Sequence, residues 1–194
     1  GKYVAVAESS SAGAYSTDGI TWTSMSMPAS SSWYSVTYGD GKFVAVAFIR
    51  GAYSTDGINW TETTFPFTIA STTVIYTYSY SLALPGGSQN SAYSTDGITW
   101  TSMSMPSSKS WQSVTYGNGK FVAVADGSSY SAYSTDGINW TEKSMPARRD
   151  WRSVTYGNGK FVAVANGTNI GAYSTDGIGW TEMTLPASRS WKSI

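Results

Sequence analysis

The chain has 194 residues, balances 12 Lys and Arg against 12 Asp and Glu, and contains neither His nor Cys. That length suits one domain or two very small ones, and the two missing residue types remove Ser-His-Asp and Cys-His catalysis, thiolate zinc sites and disulfides. Zero net charge argues against a nucleic-acid partner, whose phosphates need a basic surface; no apolar run nears the roughly 20 residues that span a bilayer, and no signal peptide is read at the N-terminus.

In chain order the sequence is one unit copied five times. AYSTDGI starts at Ala14, Ala52, Ala92, Ala132 and Ala172, and its aspartates (Asp18, Asp56, Asp96, Asp136 and Asp176) lie 38, 40, 40 and 40 residues apart. Four residues after each comes a tryptophan: Trp22, Trp60, Trp100, Trp140 and Trp180. A second block, W-x-S-V-T-Y-G-N-G-K-F-V-A-V-A, is clearest at 111–125 and 151–165. Residues 191–194 begin such a block and residues 1–7 finish one.

Each repeat reads as four short strands. W-x-S-V-T-Y alternates and is rich in β-formers, and G-N-G (Gly39-Asp40-Gly41 in one copy) supplies the positive-φ residues of a hairpin turn. K-F-V-A-V-A is a continuous apolar run, as expected of a strand buried on both faces. A-Y-S-T and I-x-W-T flank an Asp-Gly pair, which predicts a tight hairpin. A proline (Pro28, Pro66, Pro106, Pro146, Pro186) is expected to stop the fourth strand. A repeat of this length with four strands predicts an all-β, five-bladed β-propeller with four antiparallel strands per blade. The blades are expected at 191–194 plus 1–28, 33–66, 71–106, 111–146 and 151–186, as a single domain whose ring is closed by both termini sharing one blade.

The hairpin S-T-D-G-I-x-W resembles the Asp-box, the S/T-x-D-x-G-x-x-W element of sialidases and other propellers, in a version one residue shorter. The resemblance implies a structural role for Asp18, Asp56, Asp96, Asp136 and Asp176, each tying down turn amides, and for Trp22, Trp60, Trp100, Trp140 and Trp180, each covering a hairpin. The fuller string is similar to repeats of phage tail and bacterial surface proteins, which implies an extracellular, cell-surface or virion location.

The repeats differ in the loop between strands two and three (8–13, 48–51, 86–91, 126–131, 166–171) and in the connection between blades (29–32, 67–70, 107–110, 147–150, 187–190). Constant turns at one end and varied connections at the other suggest that the varied end meets a partner, or that loops drift where packing leaves them free. Trp33, Trp111, Trp151 and Trp191 enter the innermost strands there, as sugar-stacking residues or as wedges between blades. Asp126, Tyr130, Asn166, Asn169, Arg148 and Arg149 complete the candidate ligand-binding set. The arginines there suit a carboxylate or sulfate. Tyr76, Tyr78 and Tyr80 mark the divergent third repeat, and Asn59, Asn139 and Asn166 each head an N-x-T triplet.

These features predict a non-catalytic binding module, lectin-like and multivalent, recognising a glycan or surface polysaccharide through its loop face. The alternative is a structural or protein-interaction domain of a larger appendage or virion, or a duplicated or designed scaffold. A sialidase-like enzyme would need paired carboxylates, which the non-repeat acids do not form in the sequence, so no catalytic residue, metal or cofactor is expected. Recurring sites would mark a lectin, and a unique patch such as 76–80 or 148–152 would mark a protein interface.

Overall fold

The computed structural model describes residues 1–47, 50–66, 71–77 and 80–194, and among these all regular structure is β. The strands are β1 (Tyr3–Val6), β2 (Ser10–Ser16), β3 (Thr23–Ser31), β4 (Trp33–Gly39), β5 (Lys42–Ala47), β6 (Gly51–Ser54), β7 (Thr61–Thr63), β8 (Ser71–Thr77) and β9 (Tyr80–Ser94). They continue with β10 (Thr101–Gly117), β11 (Lys120–Asp126), β12 (Ser128–Ser134), β13 (Thr141–Arg149), β14 (Trp151–Gly157), β15 (Lys160–Ala165), β16 (Thr168–Ser174) and β17 (Thr181–Arg189).

These 17 described strands form four antiparallel sheets, ordered β1-β2-β3, β4-β5-β6-β7, β13-β12-β11-β10-β9-β8 and β14-β15-β16-β17. The expected five four-stranded blades, closed through a shared terminal blade, are therefore corrected. The first sheet has three strands, residues 191–194 carry none, and β10 is one 17-residue strand that joins two expected blades in a six-stranded sheet. The prolines also do not stop the strands as expected. Pro28, Pro106, Pro146 and Pro186 sit inside β3, β10, β13 and β17. Where the pairing is described, three of these prolines fall at a register break: Ala12 pairs Ser26 but Ser10 pairs Ser31, with parallel breaks at Ser128/Tyr130 and Thr168/Ile170. A bulge asks nothing of a proline's missing N–H, so the strand runs on.

The chain divides into two compact units, Gly1–Pro85 with Asn90–Met103, and Gly86–Gln89 with Ser104–Ile194. In the first, the apolar run of β5 is buried from Phe43 to Ala47. Trp33 packs on Ala45, Ala47, Ala52 and Met27, and a second cluster gathers Val44, Val46, Val74, Ala83, Ala92 and Trp100. In the second unit, Trp151 packs with Ala163, Ala165, Ala172, Val122 and Phe161. The hairpins β4–β5, β10–β11 and β14–β15 close through Asp40-Gly41, Asn118-Gly119 and Asn158-Gly159. All six residues have positive φ, the geometry that matches strand twist and selects Asn or Asp followed by Gly.

The S-T-D-G turn is not the tight hairpin expected from its Asp-Gly pair. Strands stop at Ser16 and restart at Thr23, leaving Ile20 and Trp22 outside the ladder. Asp18 explains this: its Oδ1 accepts from the Ile20 N–H (2.8 Å), the Thr21 N–H (2.7 Å) and the Ser16 hydroxyl (2.9 Å), while Ser16 Oγ accepts from the Gly19 N–H (2.8 Å). The carboxylate satisfies a wider loop than a two-residue turn would need.

Candidate recognition site

The Asp turn recurs at all five positions. Asp56, Asp96, Asp136 and Asp176 each accept from the two backbone amides that follow at i+2 and i+3 and from the preceding serine hydroxyl. The Thr21 and Ile20 amides and the Ser16 hydroxyl hold the Asp18 pKa well below the carboxylate range, and the Gly179 and Ile178 amides do the same for Asp176. At Asp96 and Asp136 burial opposes ionisation, and the turn's hydrogen bonds outweigh it. In two copies the next polar residue joins in: Asn59 and Asn139 donate through Nδ2 to the aspartate Oδ2 at 2.8 Å. Those asparagines have a local task within the turn. The turn tryptophans cover the hairpins to differing degrees. Trp100 is buried on Phe65 (4.8 Å), Trp60 and Trp140 are half-buried near Phe43 and Phe121, Trp180 is half-buried against the second unit's core, and Trp22 is 46% exposed.

At the other end of the strands, the second unit carries a polar constellation. A bulge follows each strand-entry tryptophan, between Trp111 and Ser113 and between Trp151 and Ser153. The bulged residues Gln112 and Arg152 meet: Arg152 Nη1 donates to Gln112 Oε1 at 3.3 Å. Arg152 Nη2 pairs with Asp126 Oδ2 at 2.9 Å, and Asp126 lies opposite Ser110, whose hydroxyl accepts from Gln112 Nε2 at 2.7 Å. Such bulges re-aim side chains at the ends of sheets. Arg148 is exposed and donates from Nε to the Gly127 carbonyl at 2.7 Å. Arg149 lies opposite Ser128, and the Asn166 N–H reaches the Asp150 carbonyl at 2.9 Å. Beside them Lys109 pairs with Glu142 at 2.7 Å and stands 5.1 Å from the Tyr130 ring centre; Ser107 also bonds Glu142. Burial works against ionised Glu142, but Lys109 and Ser107 outweigh it and lower its pKa.

The candidate residues therefore divide. Asp126, Arg148, Arg149, Asn166 and the 43%-exposed Tyr130 come together in the second unit, and Asn169 is exposed on β16. Trp33, Trp111 and Trp151 are buried (2%, 0% and 0% exposed), with indole N–H groups bound to the carbonyls of Ala29, Ser107 and Ser128. A buried ring has no face for a sugar, so these three are packing wedges and not stacking residues. Trp191 is half-buried and bound to the Ala187 carbonyl. Tyr76 lies flat on the backbone of Gly39, as Tyr156 does on Gly117, which is packing; Tyr78 lies outside the described residues. Sequence reading missed Gln112, Lys109 and Glu142. The signal for Gln112 and Arg152 was the residue after each strand-entry tryptophan, which varies as Tyr34, Gln112, Arg152 and Lys192.

No family model and no curated protein matches the sequence. Solved structures do. Virginiamycin B lyase from Staphylococcus aureus superposes with a TM-score of 0.83 at 16% identity, over 92% of this chain and 64% of the lyase. YCF48 bound to D1 peptide gives 0.71 at 12% identity, over 92% and 62%. The GH74 enzyme of Niastella koreensis gives 0.60 at 23% identity, over 95% and 30%. The chain thus spans less than two thirds of the lyase's length. These are β-propeller proteins, and the chain has a propeller-type fold. The expectation that it is not an enzyme is corrected by the same finding: a lyase and a glycoside hydrolase are built on this type of fold, so lacking His and Cys does not remove catalysis as a class.

Proposed function

We propose that this chain is a recognition module that binds an acidic protein segment at the connection end of its second unit. The observation that carries this reading is the Asp126–Arg152–Gln112 constellation with Arg148 and Arg149 beside it. It combines non-repeating residues on a frame that otherwise repeats. Asp126 engages one guanidinium of the group, and the exposed Arg148 presents a fork matched to a carboxylate. A unique patch is what a protein partner needs, whereas a multivalent lectin needs equivalent sites in several repeats. The carbohydrate reading stands second, because three of its four tryptophans are buried.

In this reading the S-T-D-G-I-x-W turns are shortened Asp-boxes that brace the scaffold. The resemblance of the strings to phage tail and bacterial surface repeats supports a place on a virion or cell surface. The test is to probe the native chain and an Arg148→Glu variant against an array of acidic, neutral and basic peptides and against a glycan array. The reading expects acidic peptides to be bound by the native chain and lost by the variant. Glycan binding that survives the substitution, with no peptide binding, would contradict it.

A further inference from the structure

The second unit carries the same charged position twice, and only one copy is satisfied. The connections S-S-K at 107–109 and A-R-R at 147–149 are equivalent in the repeat, so Lys109 corresponds to Arg149. Glu142 on β13 likewise corresponds to Glu182 on β17, the first opposite Ala132 and the second opposite Ala172. Each cation precedes its glutamate by 33 residues.

In the first copy the pair is made. Lys109 Nζ donates to Glu142 Oε1 at 2.7 Å and to Ser107 Oγ at 2.7 Å, and Ser107 also bonds the carboxylate. The ammonium stands 5.1 Å from the centre of the Tyr130 ring. The clasp thus joins cation and carboxylate through a bridging hydroxyl, with an aromatic face beside the charge.

In the second copy both supports are replaced. Ala147 stands in the place of Ser107, and Ile170 in the place of Tyr130. Alanine brings no hydroxyl and isoleucine no π face, so nothing holds the two charges together. Glu182 is exposed and pairs with no cation among the described residues. Arg149 is half-buried, its Nε is enclosed, and its side chain has no partner among those residues. Its surroundings do not answer the charge. Asp126 is engaged by Arg152, Glu142 by Lys109, and the neighbouring Asp150 is exposed to solvent. A guanidinium drawn partly out of water without a counter-charge is costly, and a carboxylate arriving from outside removes that cost.

We infer that Arg149 is the anchor of the acidic segment and that Glu182 is its rival within the chain. This rests on the acidic-segment reading above and adds the group that takes the carboxylate. A side-chain carboxylate of the partner occupies at Arg149 the place that Glu142 occupies at Lys109. The guanidinium fork suits this role, because it can bind both oxygens where an ammonium offers a point charge. Glu182 competes for the same fork, and the lost hydroxyl and ring are what leave the clasp open to a partner.

The test is titration calorimetry with acidic peptides amidated at their C-termini, so that only side-chain carboxylates are offered. Circular dichroism checks that each variant is folded. Arg149→Gln is expected to weaken binding about tenfold or more, Arg148→Gln to weaken it less, and Glu182→Gln to strengthen it about threefold. A chain carrying Ala147→Ser with Ile170→Tyr regains the hydroxyl and the ring. It is expected to bind more weakly with Arg149 still in place, and adding Glu182→Gln should restore the affinity. Unchanged binding in Arg149→Gln, or weakened binding in Glu182→Gln, would overturn the inference and leave the acidic-segment reading standing. A native chain that binds no acidic peptide would remove that reading and the inference with it.

Discussion

The two ends of the strands in the second unit carry the same repeat and differ in how strictly they keep it. At one end Ser134-Thr135-Asp136-Gly137 and Ser174-Thr175-Asp176-Gly177 share the serine-hydroxyl and backbone-amide bonds of the turn at lengths equal to within 0.1 Å, Asn139 adding one further bond to Asp136. At the other end the residues after the strand-entry tryptophans are Gln112 and Arg152, and the loops carry Asp126 in one copy and Asn166 in the next. Where backbone amides must be satisfied, one side chain suffices and variation is costly. Where a bulge pushes a side chain outward, the backbone is indifferent to what it carries, and binding chemistry can accumulate. The comparison predicts that substitutions at the first end move stability alone and those at the second move binding alone.

The largest effect is expected from the wedges between these ends. Trp151→Ala removes a fully buried indole from the second unit's core and is expected to cost about 3–5 kcal/mol, read as a lowered midpoint in chemical denaturation. A smaller loss, about 1–2 kcal/mol, is expected for Asp136→Ala, which frees the Ile138 and Asn139 amides as removal of a helix cap would, and peptide binding should persist.

The turns also set an acid limit. Their aspartates have folded pKa values below the ordinary 3.8, so the stability they contribute is complete above that pH. It is lost as pH falls from 3.8 toward the folded values, and thermal melting between pH 6 and 2 should show the decline starting near pH 4 (about the unfolded aspartate pKa). The smallest stability change, within about 0.5 kcal/mol, is expected for Arg148→Glu on the exposed connection, where affinity for an acidic peptide should fall about tenfold or more.

Much of this architecture can be read from residues alone. The period, the Asn-Gly hairpins with their Asp40-Gly41 variant and the buried K-F-V-A-V-A strands follow from local chemistry, and each stands where the repeat places it. The grouping of strands into sheets does not follow, because Pro106 reads as a stop and only the pairing around a proline shows whether a bulge excuses it. The wedge role of Trp33, Trp111 and Trp151 was one of two open readings, since burial depends on a neighbouring strand that local sequence does not name. At the candidate site, Asp126, Tyr130, Arg148, Arg149 and Asn166 were visible as departures from the repeat. Their contact with Gln112, Lys109 and Glu142 needed the bulge and the register. The fold itself says nothing for or against catalysis, as its likeness to both a lyase and a peptide-bound protein makes plain.

The central claim, that recognition resides at the connection end and stability at the turn end, is tested most directly by measuring acidic-peptide binding for the native, Arg148→Glu and Asp136→Ala chains side by side. The account predicts that Arg148→Glu abolishes or strongly weakens binding while Asp136→Ala, though less stable, binds as the native chain does. Undiminished binding by Arg148→Glu, with loss in folded Asp136→Ala, would contradict it and move the site to the turns.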